Sequence, residues 1–196
     1  SEVLGPDHVL AGICYVFSNI VTPGVIAHHQ FGRIVFGELN GSASERALAF
    51  VRACEQASIP VELSNNIVQA LWEKFVVLAP LAGTTSLTRL PVKSIRDLPA
   101  TRQLWQAQTE ELLALAPACG VDLGVDRMAK CVQFLESLGP ENYSSMSLDL
   151  NAGKPMELDA LIAYPVRLGQ RHGIATPTLA AVYGGLLPYL HGKPGA

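Results

Sequence analysis

A chain of 196 residues, 49% hydrophobic and 16% charged, can build one large domain or two small ones around ample core. Its formal net charge of -3 leaves no basic footprint, so nucleic-acid binding has no compositional support. Cys14, Cys54, Cys119 and Cys131 are far apart and form no CxxC or Cys/His cluster. They read as buried free thiols of a reducing compartment, and a cytoplasmic protein is expected.

No charged segment precedes an apolar run and cleavage site, so no signal peptide is expected. The stretch from Val9 to Gly32 lacks Asp, Glu, Lys and Arg, but its Ser18, Asn19, Pro23, Gly24 and Gln30 suit turns and strands rather than a bilayer span. Three short strands are expected in succession, Val9 to Val21, Val25 to His29 and Arg33 to Glu38, with a turn at Thr22-Pro23-Gly24 and a break near Gly32. The adjacent His28 and His29 would point to opposite faces of a strand, so no metal site is expected there.

Ser42 or Ser44 then caps a helix that Ser58-Ile59-Pro60 ends, and Val61 to Ser64 reads as one more strand. From Asn65 the pattern becomes helix after helix. Ser64 or Asn65 caps a long segment that should close at Gly83, with Pro80 disturbing its last turn. A helix from Asp97-Leu98-Pro99 to about Ala118 ends at Gly120, and another runs from Asp126 to Leu138. Within the former, Glu110 and Glu111 need water or a partner. Asn151-Ala152-Gly153-Lys154-Pro155 is a turn, Met156 opens a helix to about His172, and Thr176-Pro177 starts the last, to about Leu190. The tail from His191 to Ala196 should be loose.

Few side chains along this chain invite chemistry. Lys74 sits at the mouth of an uncharged apolar run, where it either snorkels to water or is held near a partner. Leu71, Lys74, Leu78 and Ala82 share one helix face. Glu157 lies at a helix start, where the macrodipole already favours a carboxylate. Ser144 and Ser145 suit a loop or cap, and His172 suits a helix C-terminus. By spacing alone each has an ordinary structural explanation.

Taken in order, the motifs resemble the ketopantoate reductase (2-dehydropantoate 2-reductase) family. They are Val9-Leu10-Ala11-Gly12 with Pro23-Gly24, Phe36-Gly37-Glu38, Leu71-Trp72-Glu73-Lys74, Ser144-Ser145-Met146, Ala152-Gly153-Lys154-Pro155 with Glu157-Leu158-Asp159, and Gly173-Ile174-Ala175-Thr176-Pro177. The resemblance implies a mostly α chain. Residues 1–64 would be a small α/β remnant of a Rossmann-like NADP-binding domain, with few strands and one helix. Residues 65–196 would be an all-α substrate and catalytic domain of the 6-phosphogluconate dehydrogenase C-terminal-like type. The G-x-G-x-x-G loop that holds NADPH phosphates in the family is not in this chain, which alone should bind NADPH poorly and be inactive.

Carried over, Lys74 falls on the family's catalytic lysine, which would give a proton to the developing alkoxide as a 2-keto acid is reduced. Glu157 falls on a catalytic glutamate that also touches the nicotinamide ribose, Ser145 on a substrate-binding serine, and Ser18 on a strand that approaches the nicotinamide. Leu78 and Ala82 occupy substrate-binding positions where family members carry asparagines, and a third asparagine would fall near Val92. The implied reaction is ketopantoate to pantoate, of pantothenate biosynthesis, but methyls in place of those polar groups suggest a more apolar 2-keto acid. The resemblance allows a homodimer through the helical domain and calls for neither metal, nucleic acid nor membrane. A rival reading is a helical binding or dimerisation module that keeps the fold without catalysis.

Overall fold

The computed structural model describes residue 3 and residues 5–193. Its chain divides into two units, Ser1–Leu71 and Trp72–Ala196. The first holds a three-stranded sheet in the order β1 (Ala11–Thr22), β2 (Val25–Gly37), β3 (Val61–Leu63). Strands β1 and β2 are antiparallel, and β3 joins β2 in parallel.

Where three short strands were expected there is one long hairpin, because Gly32 does not end the second run. Tyr15 pairs with Arg33 and Val16 with Phe31, which leaves Gly32 as an unpaired extra residue at φ 146°. A bulge absorbs one residue and bends the strand without breaking it, and glycine carries that backbone angle at no steric cost. Ile13 and Val35 form a small core with Ile67, whereas Val16, Ser18 and Ile20 stand exposed further along the ribbon. Alternation also exposes Cys14, contrary to the expectation of buried thiols; Cys54 and Cys131 are buried and Cys119 is half-buried. The side chain of His29 and residues 194–196 of the tail lie outside the described residues.

Helix α1 (Glu45–Gln56) is capped by Ser44, whose side chain accepts the Ala47 N–H. Ser58 follows its end in the left-handed region at φ 56°, giving its N–H to Glu55 while Ile59 bonds back to Cys54. Ser44 also donates to Glu38, at 2.6 Å, and Arg46 grips the same carboxylate through Nε and Nη2 at 2.7 and 2.6 Å. The guanidinium, with the Ser44 hydroxyl, draws the Glu38 carboxyl down from 4.5 to about 2. A depressed carboxyl stabilises the folded state above its unfolded value, and that contribution disappears as pH falls through the folded value. Acid unfolding followed by circular dichroism should therefore steepen between about pH 4.5 and 2, and Glu38→Gln should flatten the curve over that window.

In the second unit the chain is helical: α2 (Ile67–Thr88, entering from the first unit), α3 (Val92–Asp97), α4 (Pro99–Ala118), α5 (Arg127–Ser137), α6 (Ser145–Asn151), a π-turn (Asp159–Ala163), α7 (Tyr164–His172) and α8 (Pro177–Leu186). The cap of α2 is Asn66, one residue beyond the expected positions: its Oδ1 accepts the Gln69 N–H, and Ser64 instead receives the Asn66 N–H. The helix also runs through Gly83, where it was expected to stop. A Cβ on Gly83 would lie 2.3 Å from Gln108 Oε1 and 3.2 Å from both Ile162 Cδ1 and Val182 Cγ1. Glycine is there to let α4, the π-turn and α8 come close, not to end a helix.

By length and hydropathy α2 is the one helix among the described residues that could cross a membrane. Its contacts are those of a core helix, with Val76, Ala79, Leu81 and Ala82 all buried. On α4, Leu112 and Leu115 are 0% exposed, each contributing roughly 1.5–3 kcal/mol of burial. The short helix α3 was not expected, and Leu98 rather than Asp97 precedes the first turn of α4, with Pro99 inside it. The π-turn has a local cause. Pro165 has no N–H for Leu161 and its ring crowds that carbonyl, so the preceding turn widens and Tyr164 N–H reaches back to Asp159.

Candidate active site

Helix α2 supplies the frame. Lys74 is half-buried on it, next to Glu73, whose carboxylate pairs with Arg127 at the start of α5. Leu78, Leu81, Ala82 and Thr85 continue the Lys74 stripe at helical spacing. Leu78 is half-buried, while Ala82 is only 3% exposed and therefore packed. Thr85 lies three turns, about 16 Å, beyond Lys74.

At that far end α2 meets α6. Thr85 Oγ1 is 2.8 Å from Ser144 Oγ, and Ser147 Oγ donates to the Thr85 carbonyl at 3.1 Å. Ser144 is the cap of α6, which leaves Ser145 exposed as its first residue. The helix ends in a left-handed cap: Gly153, at φ 67°, bonds back to Leu150, and Lys154 bonds back to Asp149. Glu157 follows on the same segment. Its neighbours Met156 and Leu158 are 7% and 0% exposed, and Met156 N–H is tied to the Leu190 carbonyl at 3.0 Å. Two buried anchors thus hold the backbone while the Glu157 carboxylate stays in solvent.

The structure accordingly strings Lys74, Leu78 and Ala82 along one helix and brings the Ser145 turn to the end of that stripe. Glu157 lies on the anchored segment after α6, and Ser18 stands exposed on β1 in the other unit. Two open surface depressions, of about 470 and 600 Å³, lie elsewhere: one around Gly169, Ile174, Thr176 and Pro177, the other around Tyr164, Arg167 and Arg171. None of the residues expected in the site lines either. No group of three or more His, Cys, Asp or Glu gathers as a metal site among the described residues.

Several supporting side chains were not foreseen. The run Thr84-Thr85-Ser86 is at most 1% exposed; Gln108 Nε2 reaches Thr84 Oγ1 at 2.8 Å and Thr88 Oγ1 reaches the Thr84 carbonyl at 2.8 Å. Thr84 and Thr85 inside an apolar helix were a readable signal, because buried hydroxyls are generally bonded. Glu111 finds the partner it needed at the start of α8, accepting the Thr178 and Leu179 N–H groups at 2.7 and 2.9 Å. Arg127 gave no signal in the sequence.

Residues 66–188 match the family described as ketopantoate reductase PanE/ApbA C terminal. A 2-dehydropantoate 2-reductase from Mesorhizobium japonicum is 30% identical over 91% of this chain and 54% of its own length. The crystal structure of 2-dehydropantoate 2-reductase from Geobacter metallireducens superposes with a TM-score of 0.86 at 27% identity, over 95% of this chain and 62% of that one. A dimeric ketopantoate reductase from Staphylococcus aureus shares the fold, with a TM-score of 0.83 at 21% identity over 92% and 61%. This chain spans between 54% and 61% of the first curated relatives it matches.

Proposed function

The chain belongs to the ketopantoate reductase family, and from that premise we propose that it is the substrate-holding, proton-donating part of a cytoplasmic NADPH-dependent reductase of 2-keto acids. Residues 1–64 are then the end of the nucleotide domain and residues 65–196 the helical catalytic domain. The observation that carries the reading is the α2 stripe, on which a half-buried lysine is followed by a face of Leu78, Leu81 and Ala82 and then by the α6 turn bearing Ser145.

The residues suit the nicotinamide end of such a cofactor. Glu157 offers a solvent-facing carboxylate on an anchored backbone, suited to ribose hydroxyls. When bound, the nicotinamide supplies the hydride. Lys74 does the rest of the bond-making: its ammonium proton passes to the carbonyl oxygen as negative charge develops there, leaving a 2-hydroxy acid and an amine that water reprotonates. Ser145 donates to the substrate and orients it. A non-catalytic helical module is not favoured, because relatives with a named activity, such as those from Mesorhizobium and Nostoc, are reductases. A homodimer through the helical domain is the proposed assembly.

Leu78, the half-buried member of this face, has no side-chain hydrogen-bonding group, so the hydroxyl of ketopantoate gains nothing from it. The proposed substrate is a 2-keto acid with an apolar tail. In the intact reductase, NADPH consumption should give kcat/KM at least about 10-fold higher for branched-chain or aryl 2-keto acids than for ketopantoate. A preference for ketopantoate would overturn the apolar assignment, and no turnover of any 2-keto acid by folded protein would overturn the reductase reading.

A further inference from the structure

Ser145 heads a helix of seven residues, too short to hold its own shape. What holds it is a set of hydroxyls whose protons can be placed. Thr85 Oγ1 donates to the Leu81 carbonyl, one turn back on α2, at 2.7 Å. With its only proton so committed, Thr85 Oγ1 must accept in its 2.8 Å contact with Ser144 Oγ, and Ser144 must donate. The Ser144 oxygen in turn accepts the Ser147 N–H at 3.1 Å. The order is thus fixed from the Ser147 amide through Ser144 and Thr85 to the Leu81 carbonyl.

A second strut runs beside it. Ser147 Oγ donates to the Thr85 carbonyl at 3.1 Å. An α6 side chain thus bonds the last turn of α2, while α2 supplies the acceptor for the cap of α6. Thr85 and Ser147 are both 0% exposed, so water does not compete for these bonds.

We propose that Thr85 and Ser144 are positioning residues, which fix the Ser145 hydroxyl relative to the Lys74 face of α2 for binding of the 2-keto acid. The proposal rests on the substrate-binding role given to Ser145 above. Neither residue touches the substrate; each acts through the α6 turn.

Thr85→Val tests it in the intact reductase, since the change is nearly isosteric, deletes one link and leaves the Ser144 cap in place. The KM for the 2-keto acid should rise about 10-fold, with kcat within about 3-fold and the KM for NADPH unchanged, the signature of lost substrate binding. Thr85→Ser should restore KM. Ser145→Ala should raise the same KM, and adding Thr85→Val to it should have no further effect, because both act through one hydroxyl. Ser144→Ala breaks the same link from the α6 side, with Ser144→Thr as its rescue, and serves if the valine variant does not fold. An effect of Ser145→Ala without one of Thr85→Val or Ser144→Ala overturns the positioning role and spares the substrate role. Additive effects, or equal losses in both KM values and kcat, overturn it as merely structural. An unchanged KM in Ser145→Ala removes the substrate role and this proposal with it.

Discussion

Lys74→Ala is expected to lower kcat of the intact reductase by about 10²–10⁴ on every 2-keto acid it turns over. The magnitude follows from the role proposed for the ammonium. Removing it leaves the developing alkoxide without a proton source at the moment charge appears, an interaction made mainly in the transition state, so kcat falls together with kcat/KM. Folding should survive. Lys74 is half-buried rather than core. Lys74→Met, which keeps most of the aliphatic stem, should be as slow as the alanine variant while melting above it. Steady-state NADPH oxidation beside a thermal melt reads both quantities. Unaltered turnover in both variants would overturn the proton-donating role.

The second large effect is on stability. Gly83→Val should destabilise the protein by about 1–3 kcal/mol or more, the usual cost of overpacking a filled interior. The valine Cβ would meet Gln108 Oε1 at 2.3 Å, and Ile162 and Val182 at 3.2 Å. Gln108 cannot swing aside cheaply, being 0% exposed and tied through Nε2 to Thr84 Oγ1 and the Leu104 carbonyl. Alanine is the subtler case, because leaving glycine inside a helix gains about 1 kcal/mol against the same clash. Pairing Gly83→Ala with Gln108→Ala removes the nearest obstruction, so the double variant should be more stable than the sum of the two single changes predicts. Urea midpoints at constant slope are the measurement, and a valine variant as stable as wild type would show that α4 can move away from α2.

How far the sequence could be read depended on whether a signal was local. Ser44, one of two expected caps, and Gly120 and Gly173 announced helix ends because a cap and a left-handed exit are decided within one turn. Gly83 misled because the same residue serves close approach, and what approaches comes from α4, the π-turn and α8, far along the chain. Gly32 misled for the related reason that a bulge and a break look alike until the partner strand is known. Helix α6 was missed because it owes its shape to Thr85 and to its left-handed exit at Gly153 rather than to an apolar period. Of the candidate site, the lysine stripe was legible from spacing, and Ser145 and Glu157 became so only through family resemblance. The hydroxyls that hold the Ser145 turn stayed hidden, since a buried threonine in an apolar helix does not say which distant serine it will meet.

The tie between Met156 and Leu190 bears on the order in which the protein becomes itself. A hairpin such as β1–β2 can close within microseconds from neighbouring residues. The turn bearing Glu157 has to wait for a partner roughly 30 residues downstream, a closure paid in chain entropy before any contact rewards it. During synthesis, α2 and its lysine would leave the ribosome and pack while the Glu157 segment was still free to wander. The Glu157 segment would then become fixed late, when the chain around Leu190 docks, so a nascent chain arrested before that point would carry a folded α2 with the Glu157 backbone still unanchored.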